Sequence, residues 1–392
     1  MRKPPVNHPR SATIVGVYQT KQARTLPGRT SQDIVIEAVK GAIADAGLAP
    51  RDVDGAAIDW PGPGGAPRDA ENWAMYLQQP LAWVDSHHLD TAGVRGVLKA
   101  AAAVEAGLCE VAVVGSGRAG PFSADGSSPG ANMNMEFAEP YGSSVIAQFA
   151  LVAQRHMHEF GTTQQQIASV SATIRNHGHV NAEAVLAGAG PVTVDDVLAS
   201  PIIATPFHRL DCCLMNEGGC ALVITTAARA RDLPRHPVRV LAGGMEFFQG
   251  NYANPPLYRD LRDLGKKAVA RAFGKAGVAP ADIDAYSLYD PVSFEVIRQF
   301  EMLGLCAEGE GGAFIENGRL DIGGQCPTNL DGGMLACSWT GTGQLTLKVI
   351  EGVRQLRRVN GHRQVPDAEL ALISNAGSGA QHVELMILAR AQ

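Results

Sequence analysis

The sequence has no CxxC pair, and its seven cysteines (Cys109, Cys212, Cys213, Cys220, Cys306, Cys326 and Cys337) are odd in number and scattered. Free thiols in a reducing compartment fit this better than a disulfide framework, and a structural zinc site has no cysteine pattern to build on. Aromatic residues are scarce at 6%, and charge of one sign is not in large excess: 33 Lys and Arg face 39 Asp and Glu, a net charge of -6 with no basic run. A nucleic-acid partner therefore lacks its electrostatic footprint. Also missing is any apolar run near the roughly 18 to 20 residues that a bilayer span needs, and residues 1–10 hold no apolar stretch of signal type. No membrane insertion is expected, and the expected location is cytoplasmic. What remains is 392 residues, 45% apolar and 18% charged, an ordinary globular composition with length for two or more folding units.

The most informative feature is an internal repeat. Residues 38–54 (AVKGAIADAGLAPRDVD) recur as residues 268–284 (AVARAFGKAGVAPADID), with nine identities in 17 positions and no gap. In both copies apolar residues keep helical spacing up to Gly47 and Gly277, which suit a left-handed cap, and a proline and an apolar strand follow. A strand-like stretch precedes each copy, at residues 12–18 and 238–243. A second pairing sets the helical run 90–107 and strand 110–115 against the helical run 339–357 and strand 369–374. Helices alternating with buried strands predict parallel sheets covered on both faces, in two α/β halves of one design. The halves are read as residues 1–236 and 237–392, with an insertion at 121–203 whose helical stretches are 144–160 and 164–176. Binding surface and packing or subunit contact are both open roles for such an insertion.

Two histidine pairs, His156 with His158 and His177 with His179, stand two residues apart on helical stretches. That spacing puts the imidazoles on different faces, so no metal is expected. The glycine strings at 62–65 and 309–312 match no phosphate-loop pattern and read as turns or close packing.

The stretches GRTSQDIVIEAVKGAIADAGL, PYGSSVIAQFALVAQRHMHEFGTT, NEGGCALVITTAARARDL, SLYDPVSFEVIRQFEMLGLCAEGEGGAFIENGRLDIGG and IEGVRQLR resemble the thiolase superfamily, most closely its sterol-carrier-protein thiolase-like branch. The resemblance covers nearly the whole chain. It implies an α/β, duplicated thiolase-like fold of five αβαβα layers, a homodimer built on the first-half sheet, an acyl-coenzyme A (CoA) thioester as substrate and no tightly bound cofactor. The sequence does not choose which Arg or Lys would meet the CoA phosphates.

The family's nucleophilic cysteine falls in Asp90-Thr91-Ala92-Gly93, where Asp90 and Thr91 are poor nucleophiles and good helix caps. The histidine of its Gly-His-Pro motif aligns with Trp339, whose indole is no base. Its terminal acid/base cysteine corresponds to Asn375, in an expected loop, and the histidine of its His-Asp-Cys-Phe motif reads Tyr289, followed by Asp290. This pattern is similar to the cysteine-less, thiolase-like steroid aldolases, which cleave a β-hydroxyacyl-CoA by retro-aldol chemistry and carry a tyrosine where Tyr289 stands. A second tyrosine expected in that group is here Trp339. The resemblance also implies a small OB-fold partner of the DUF35 type, which often carries zinc.

A retro-aldol step removes a β-hydroxyl proton and stabilises an enolate, so it requires a proton relay and an oxyanion site. Tyr289 is the leading candidate; a half-buried strand tyrosine is the plainer reading of the same residue. Asp290 either orients it or caps the helix expected at 293–303. Tyr252, Tyr258, His87 and His88 are further candidates for the missing group. The expected function is a carbon–carbon lyase acting on a β-hydroxyacyl-CoA, with a steroid or other bulky acyl group as the class. The alternatives are an acyltransferase with an atypical site and a non-catalytic acyl-CoA or lipid-binding subunit.

Overall fold

The computed structural model describes residues 8–59, 72–85, 93–120, 144–248, 257–377 and 380–391. The first half runs β1 (Ala12–Gln19), α1 (Ser31–Asp45), β2 (Gly55–Asp59), α2 (Asn72–Leu77), β3 (Trp83–Asp85), α3 (Gly93–Ala106) and β4 (Val111–Arg118). Then come α4 (Val145–Phe160), α5 (Gln164–His179), α6 (Val194–Ala199) and a small hairpin, β5 (Ile202–Ala204) with β6 (Phe207–His208), before β7 (Gly218–Thr226) and α7 (Ala227–Ala230). The second half runs β8 (Val238–Phe247), α8 (Tyr258–Leu261), α9 (Lys266–Ala276), β9 (Ala285–Ser287), α10 (Ser293–Met302), α11 (Gly311–Phe314), α12 (Thr342–Arg357), β10 (Leu370–Gly377) and β11 (His382–Arg390).

The strands join in the order β3-β2-β4-β7-β1-β8-β11-β10-β9. From the centre outward, β1, β7, β4 and β2 on one side match β8, β11, β10 and β9 on the other, so the duplication is written into the sheet. Within the sheet, β1 of the first half pairs with β8 of the second through Thr13 opposite Arg239 and Ile14 opposite Val238. The pairing is mixed rather than all parallel, which corrects the expectation from helix–strand alternation: β2 with β3, β2 with β4 and β9 with β10 are parallel, and the other pairs of this sheet are antiparallel. For β10 and β11 the reason is connection length. β11 follows β10 after a few residues, too few for a crossover helix, and must run back alongside it; β7 occupies the same place in the first half.

α3 and α12 touch each other and the strands of both halves. Val94, Val97, Ala100 and Val104 of α3 share one apolar cluster with Leu347, Ile350, Val353 and Leu356 of α12 and with inward residues of both sets of strands. With α1 outside the first-half strands and α9 outside the second, five layers result, αβαβα. α1 starts at a capping box, Thr30 with Asp33, and buries Ile34, Val35, Ala38, Val39, Ala42 and Ile43 at helical spacing. Gly16 lets that helix sit directly on β1: a Cβ there would stand 2.1 Å from the Ala42 carbonyl oxygen. The expected left-handed glycines are present, Gly47 at φ 72° and Gly277 at φ 69°. The insertion has a packing role. Phe149, Val152, Ile167 and Ile174 of α4 and α5 join Phe273, Phe294 and Phe300 in one cluster, so a first-half segment covers the outer face of the second half.

The repeat also explains itself in hydrogen bonds. Asp54 accepts from the backbone amides of Glu110 (3.0 Å) and Val111 (2.8 Å), where β4 starts. Asp284 does the same for Glu369 and Leu370, both at 2.9 Å, where β10 starts. Replacing either aspartate by Ala strands two amides at a strand start and is expected to cost about 1–2 kcal/mol in urea unfolding, the range of a lost half-buried hydrogen-bond partner. A cost of under about 0.5 kcal/mol at either position would show that the shared aspartate does not fix the strand.

Candidate active site

The C-terminal end of β9 leads into Leu288-Tyr289-Asp290, and three side chains from other elements grip this stretch by its backbone. Asn329 accepts from the Leu288 amide at 2.7 Å and donates to the Leu288 carbonyl at 2.9 Å, as a neighbouring strand would. The Tyr289 amide donates to Ser374 Oγ of β10 at 3.1 Å, and Gln299 of α10 donates to the Tyr289 carbonyl at 2.7 Å. Ser374 in turn donates to Gln299 Oε1, closing the ring. Tyr289 is 8% exposed, two residues beyond the strand and against the apolar cluster that holds Leu288 and Phe294. It is more deeply buried than a half-exposed strand tyrosine.

Asp290 does not cap α10. The cap position belongs to Val292 and has no side-chain hydrogen bond. Instead the fully buried carboxylate meets Lys348 Nζ of α12 at 2.7 Å and the Met334 amide at 3.0 Å. Burial pushes the Asp290 carboxyl above the usual carboxylate range, and the Lys348 ammonium and the Met334 amide pull it back. Gly333, at φ 53°, makes the contact possible: a Cβ there would lie 2.1 Å from Asp290 Oδ2. Asp290 therefore ties the Tyr289 loop to the turn before α12.

That turn is a π-helical segment, Gly333–Cys337, followed by Ser338 and Trp339. Trp339 precedes α12 rather than opening it, because Gly341 (φ 72°, ψ −137°) separates the two. Asn216 holds the tryptophan from both sides: its Oδ1 accepts from the Trp339 amide at 2.5 Å and its own amide donates to the Trp339 carbonyl at 3.2 Å. Asn216 also donates to Ser338 Oγ at 3.0 Å, which donates to Gln22 at 2.9 Å. The half-buried indole lies against the same cluster as Tyr289.

Asn375 lies inside β10 and not in a loop, because antiparallel pairing with β11 carries the strand to Gly377. Its register partner is Glu384. Asn375 Nδ2 donates to Glu384 Oε2 at 3.2 Å, and Arg95, in the first turn of α3, pairs with Glu384 Oε1. The α3 start is tied to α12 as well, by the Gly93 amide donating to Thr346 Oγ1 at 2.8 Å. The carboxyl ends of β9 and β10 and the starts of α3 and α12 thus converge, the usual location of a ligand cleft in an α/β sheet.

Asp90, Thr91, His87 and His88, expected at the α3 approach, and Tyr252 lie outside the described residues. Tyr258 does not serve the cleft. Its hydroxyl donates to Glu308 at 3.1 Å, and its ring meets His156 edge-on at 5.8 Å; burial first, then Glu308, pushes its pKa up. His156 itself is buried against Glu301, 3.1 Å away, and His158 is exposed, so the pair does share no face. Among the described residues no group of three or more His, Cys, Asp or Glu is disposed to hold a metal ion. All seven cysteines are free. Cys337, nearest Trp339 in sequence, is buried, and burial pushes its thiol pKa well above the ordinary range, which disfavours the thiolate.

An open cavity of about 600 Å³ adjoins this site, lined by Arg24, Arg175, Arg209, Cys213, Leu214 and Met215 among others. Its wall is continuous with the segments that carry Tyr289 and Trp339: the Cys213 amide donates to the Pro291 carbonyl at 2.9 Å, and the Leu214 amide to the Met334 carbonyl at 3.0 Å. Arg175 is partly committed to wall carbonyls, Leu210 at 2.8 Å and Cys212 at 3.1 Å. Arg24 and Arg209 are exposed at the rim.

Sequence reasoning did not single out Arg95, Asn216, Asn329, Lys348, Ser374 or Glu384. The available signal was a charge inside an apolar run, as in LTLKVI around Lys348 and HVELMIL around Glu384.

Comparison with known proteins agrees with this geometry. Residues 261–390 match the family described as thiolase C-terminal domain-like. The chain is 33% identical over 361 residues to the 17-hydroxy-3-oxo-4-pregnene-20-carboxyl-CoA lyase of Mycobacterium tuberculosis, covering 88% of this chain and 91% of that protein. It is also 33% identical to the steroid side-chain-cleaving aldolase of Thermomonospora curvata, over 83% of this chain and 86% of that one. Among solved structures, an Ltp2-ChsH2(DUF35) aldolase superposes with a TM-score of 0.83 at 29% identity, covering 97% of this chain and 98% of the other. A duplicated five-layered fold and these alignments over most of the chain lead to one conclusion: the protein belongs to the thiolase superfamily, in the sterol-carrier-protein thiolase-like branch that includes the steroid side-chain-cleaving aldolases.

Proposed function

We propose that the protein is a carbon–carbon lyase that cleaves a β-hydroxyacyl-CoA by a retro-aldol step, with a steroid side chain or similarly bulky group as the acyl part. The observation that carries the reading is Tyr289, gripped by its backbone from Ser374 of β10 and Gln299 of α10, in a site where burial disfavours the Cys337 thiolate. In the reaction the β-hydroxyl loses its proton and its C–O bond becomes a carbonyl. The Cα–Cβ bond breaks, and its electron pair passes to Cα and the thioester oxygen as an enolate. Protonation at Cα then gives the shortened acyl-CoA beside a ketone or aldehyde. Tyr289 relays the hydroxyl proton or donates to the developing oxyanion. Trp339 supplies an indole donor but no base. Arg24 and Arg209 at the cavity rim suit the CoA phosphates, with the chain running along Cys213 to Met215 toward the Tyr289 loop.

The assembly reading follows the same line. β3 is the first-half edge strand of the sheet, with Val84 at 40% exposure and Met75 of α2, the helix before it in the chain, at 75%, which supports a homodimer built on the first-half sheet. A DUF35-type OB-fold protein is the proposed second partner, supported by the Ltp2-ChsH2(DUF35) aldolase whose fold this chain shares.

Incubation with a panel of β-hydroxyacyl-CoA thioesters is expected to release a ketone or aldehyde with a shortened thioester, and Tyr289→Phe to lower the rate roughly 100-fold or more with normal melting. An unchanged rate removes the role of Tyr289. Intact-mass measurement after mixing with acyl-CoA is expected to find no covalent adduct; an acyl group on a cysteine needed for turnover would favour the acyltransferase reading. Light scattering at micromolar concentration is expected to report a dimer, and a monomer would overturn the edge-strand contact.

A further inference from the structure

We propose that Asn375 presents its carboxamide oxygen to the β-hydroxyl of the substrate, and that Glu384 and Arg95 fix it in that orientation. The inference rests on the β-hydroxyacyl-CoA reading and goes beyond it by naming the residues that select for the hydroxyl. Asn375 and Glu384 stand opposite each other in the β10–β11 register, on the face of the sheet that looks toward α3. Glu384 is 1% exposed, and both of its oxygens are engaged: Oε1 by Arg95 Nε at 2.8 Å and by a second guanidinium nitrogen, Oε2 by Asn375 Nδ2 at 3.2 Å. The guanidinium lies over the Phe247 ring, 4.8 Å from its centre, so the arginine is held on a second side. A carboxylate only accepts hydrogen bonds, so the amide end of Asn375 must face it and the oxygen must face away.

That oxygen is the unexplained feature. Asn375 is 5% exposed, yet its Oδ1 is buried with no hydrogen-bond partner among the described residues. Buried polar atoms are normally satisfied, and an exception in a cleft marks a place for a ligand or an ordered water. It is close to the proposed chemistry: its chain neighbour Ser374 accepts from the Tyr289 amide, while Arg95 sits in the first turn of α3. Because the amide nitrogen is turned to Glu384, the end of Asn375 that faces away from the carboxylate is an acceptor. It cannot stabilise an oxyanion, and among the groups at the reacting end of a β-hydroxyacyl thioester the hydroxyl is the one strong donor. A β-keto or a saturated acyl chain leaves Oδ1 unsatisfied, so the same atom discriminates against both.

The test is calorimetric and separates binding from turnover by working in the Tyr289→Phe background. A β-hydroxyacyl-CoA and the saturated acyl-CoA of the same chain length are titrated in parallel, and the ratio of their Kd values is the readout. The hydroxylated thioester is expected to bind about 10-fold tighter or better, the scale of one buried hydrogen bond. Asn375→Leu is expected to bring the ratio near one while leaving the saturated thioester's Kd unchanged. Glu384→Gln is expected to do the same, since a glutamine no longer dictates which end of the Asn375 amide faces it. A merely structural role would weaken both thioesters together and keep the ratio. If Asn375→Leu fails to fold, Glu384→Gln alone reads the same ratio. A ratio near one before any change at Asn375, or a ratio preserved in the folded Asn375→Leu or Glu384→Gln protein, overturns the assignment. Failure to cleave any thioester with Tyr289 intact would overturn the lyase reading instead, and the binding ratio would still register the contact.

Discussion

Lys348 sits in the middle of the molecule, 1% exposed, on a helix enclosed by strands of both halves, and an ammonium in such a place must find a carboxylate. Asp290 supplies it at 2.7 Å. Leaving either charge unpaired in this setting costs about 3–5 kcal/mol, whereas the intact pair adds little stability over a well-packed apolar pair. Its consequence is therefore positional. Pairing with Lys348 and with the Met334 amide draws the loop bearing Tyr289 and the turn bearing Trp339 onto the start of α12. Gly333 keeps the approach free of a side chain.

Around that pair the two halves do different work with the same plan. The repeated aspartates, Asp54 and Asp284, anchor the starts of β4 and β10 in the same way. The far ends of those strands have diverged. In the second half, Ser374 and Asn375 of β10 bond to the Tyr289 amide and to Glu384 of β11, whereas β4 ends in Gly115-Ser116-Gly117-Arg118, paired there with Ala221 to Gly218 of β7. The outer face of the second half is closed by helices that belong to the first, so neither half completes its core alone. Further charged pairs cross the layers for the same reason: Arg357 of α12 meets Asp45 of α1 at 2.8 Å and donates to the Val15 carbonyl at 2.7 Å.

The chemistry follows from what the site contains. A buried thiol without a cationic neighbour strong enough to offset burial is a poor nucleophile. In the proposed reaction the backbone-fixed Tyr289 handles the hydroxyl proton, Asn375 accepts from the hydroxyl and Trp339 offers an indole donor. These are the demands of carbon–carbon cleavage next to a thioester, and they need no covalent intermediate.

The sequence by itself determined the duplication, the alternating helices and strands, the glycine caps and the family. Those signals are local, carried by apolar periodicity, turn residues and a short motif, and they survive when the chain is read in one dimension. The tertiary structure decided the rest. Mixed strand directions, Asp290 as the partner of Lys348 rather than a helix cap, Tyr258 turned to Glu308, and Asn375 paired with Glu384 each depend on contacts between residues 9 to 100 or more positions apart. Sequence pattern records which face of an element is buried. It does not record which element covers that face, and a buried charge takes its role from the partner it meets there.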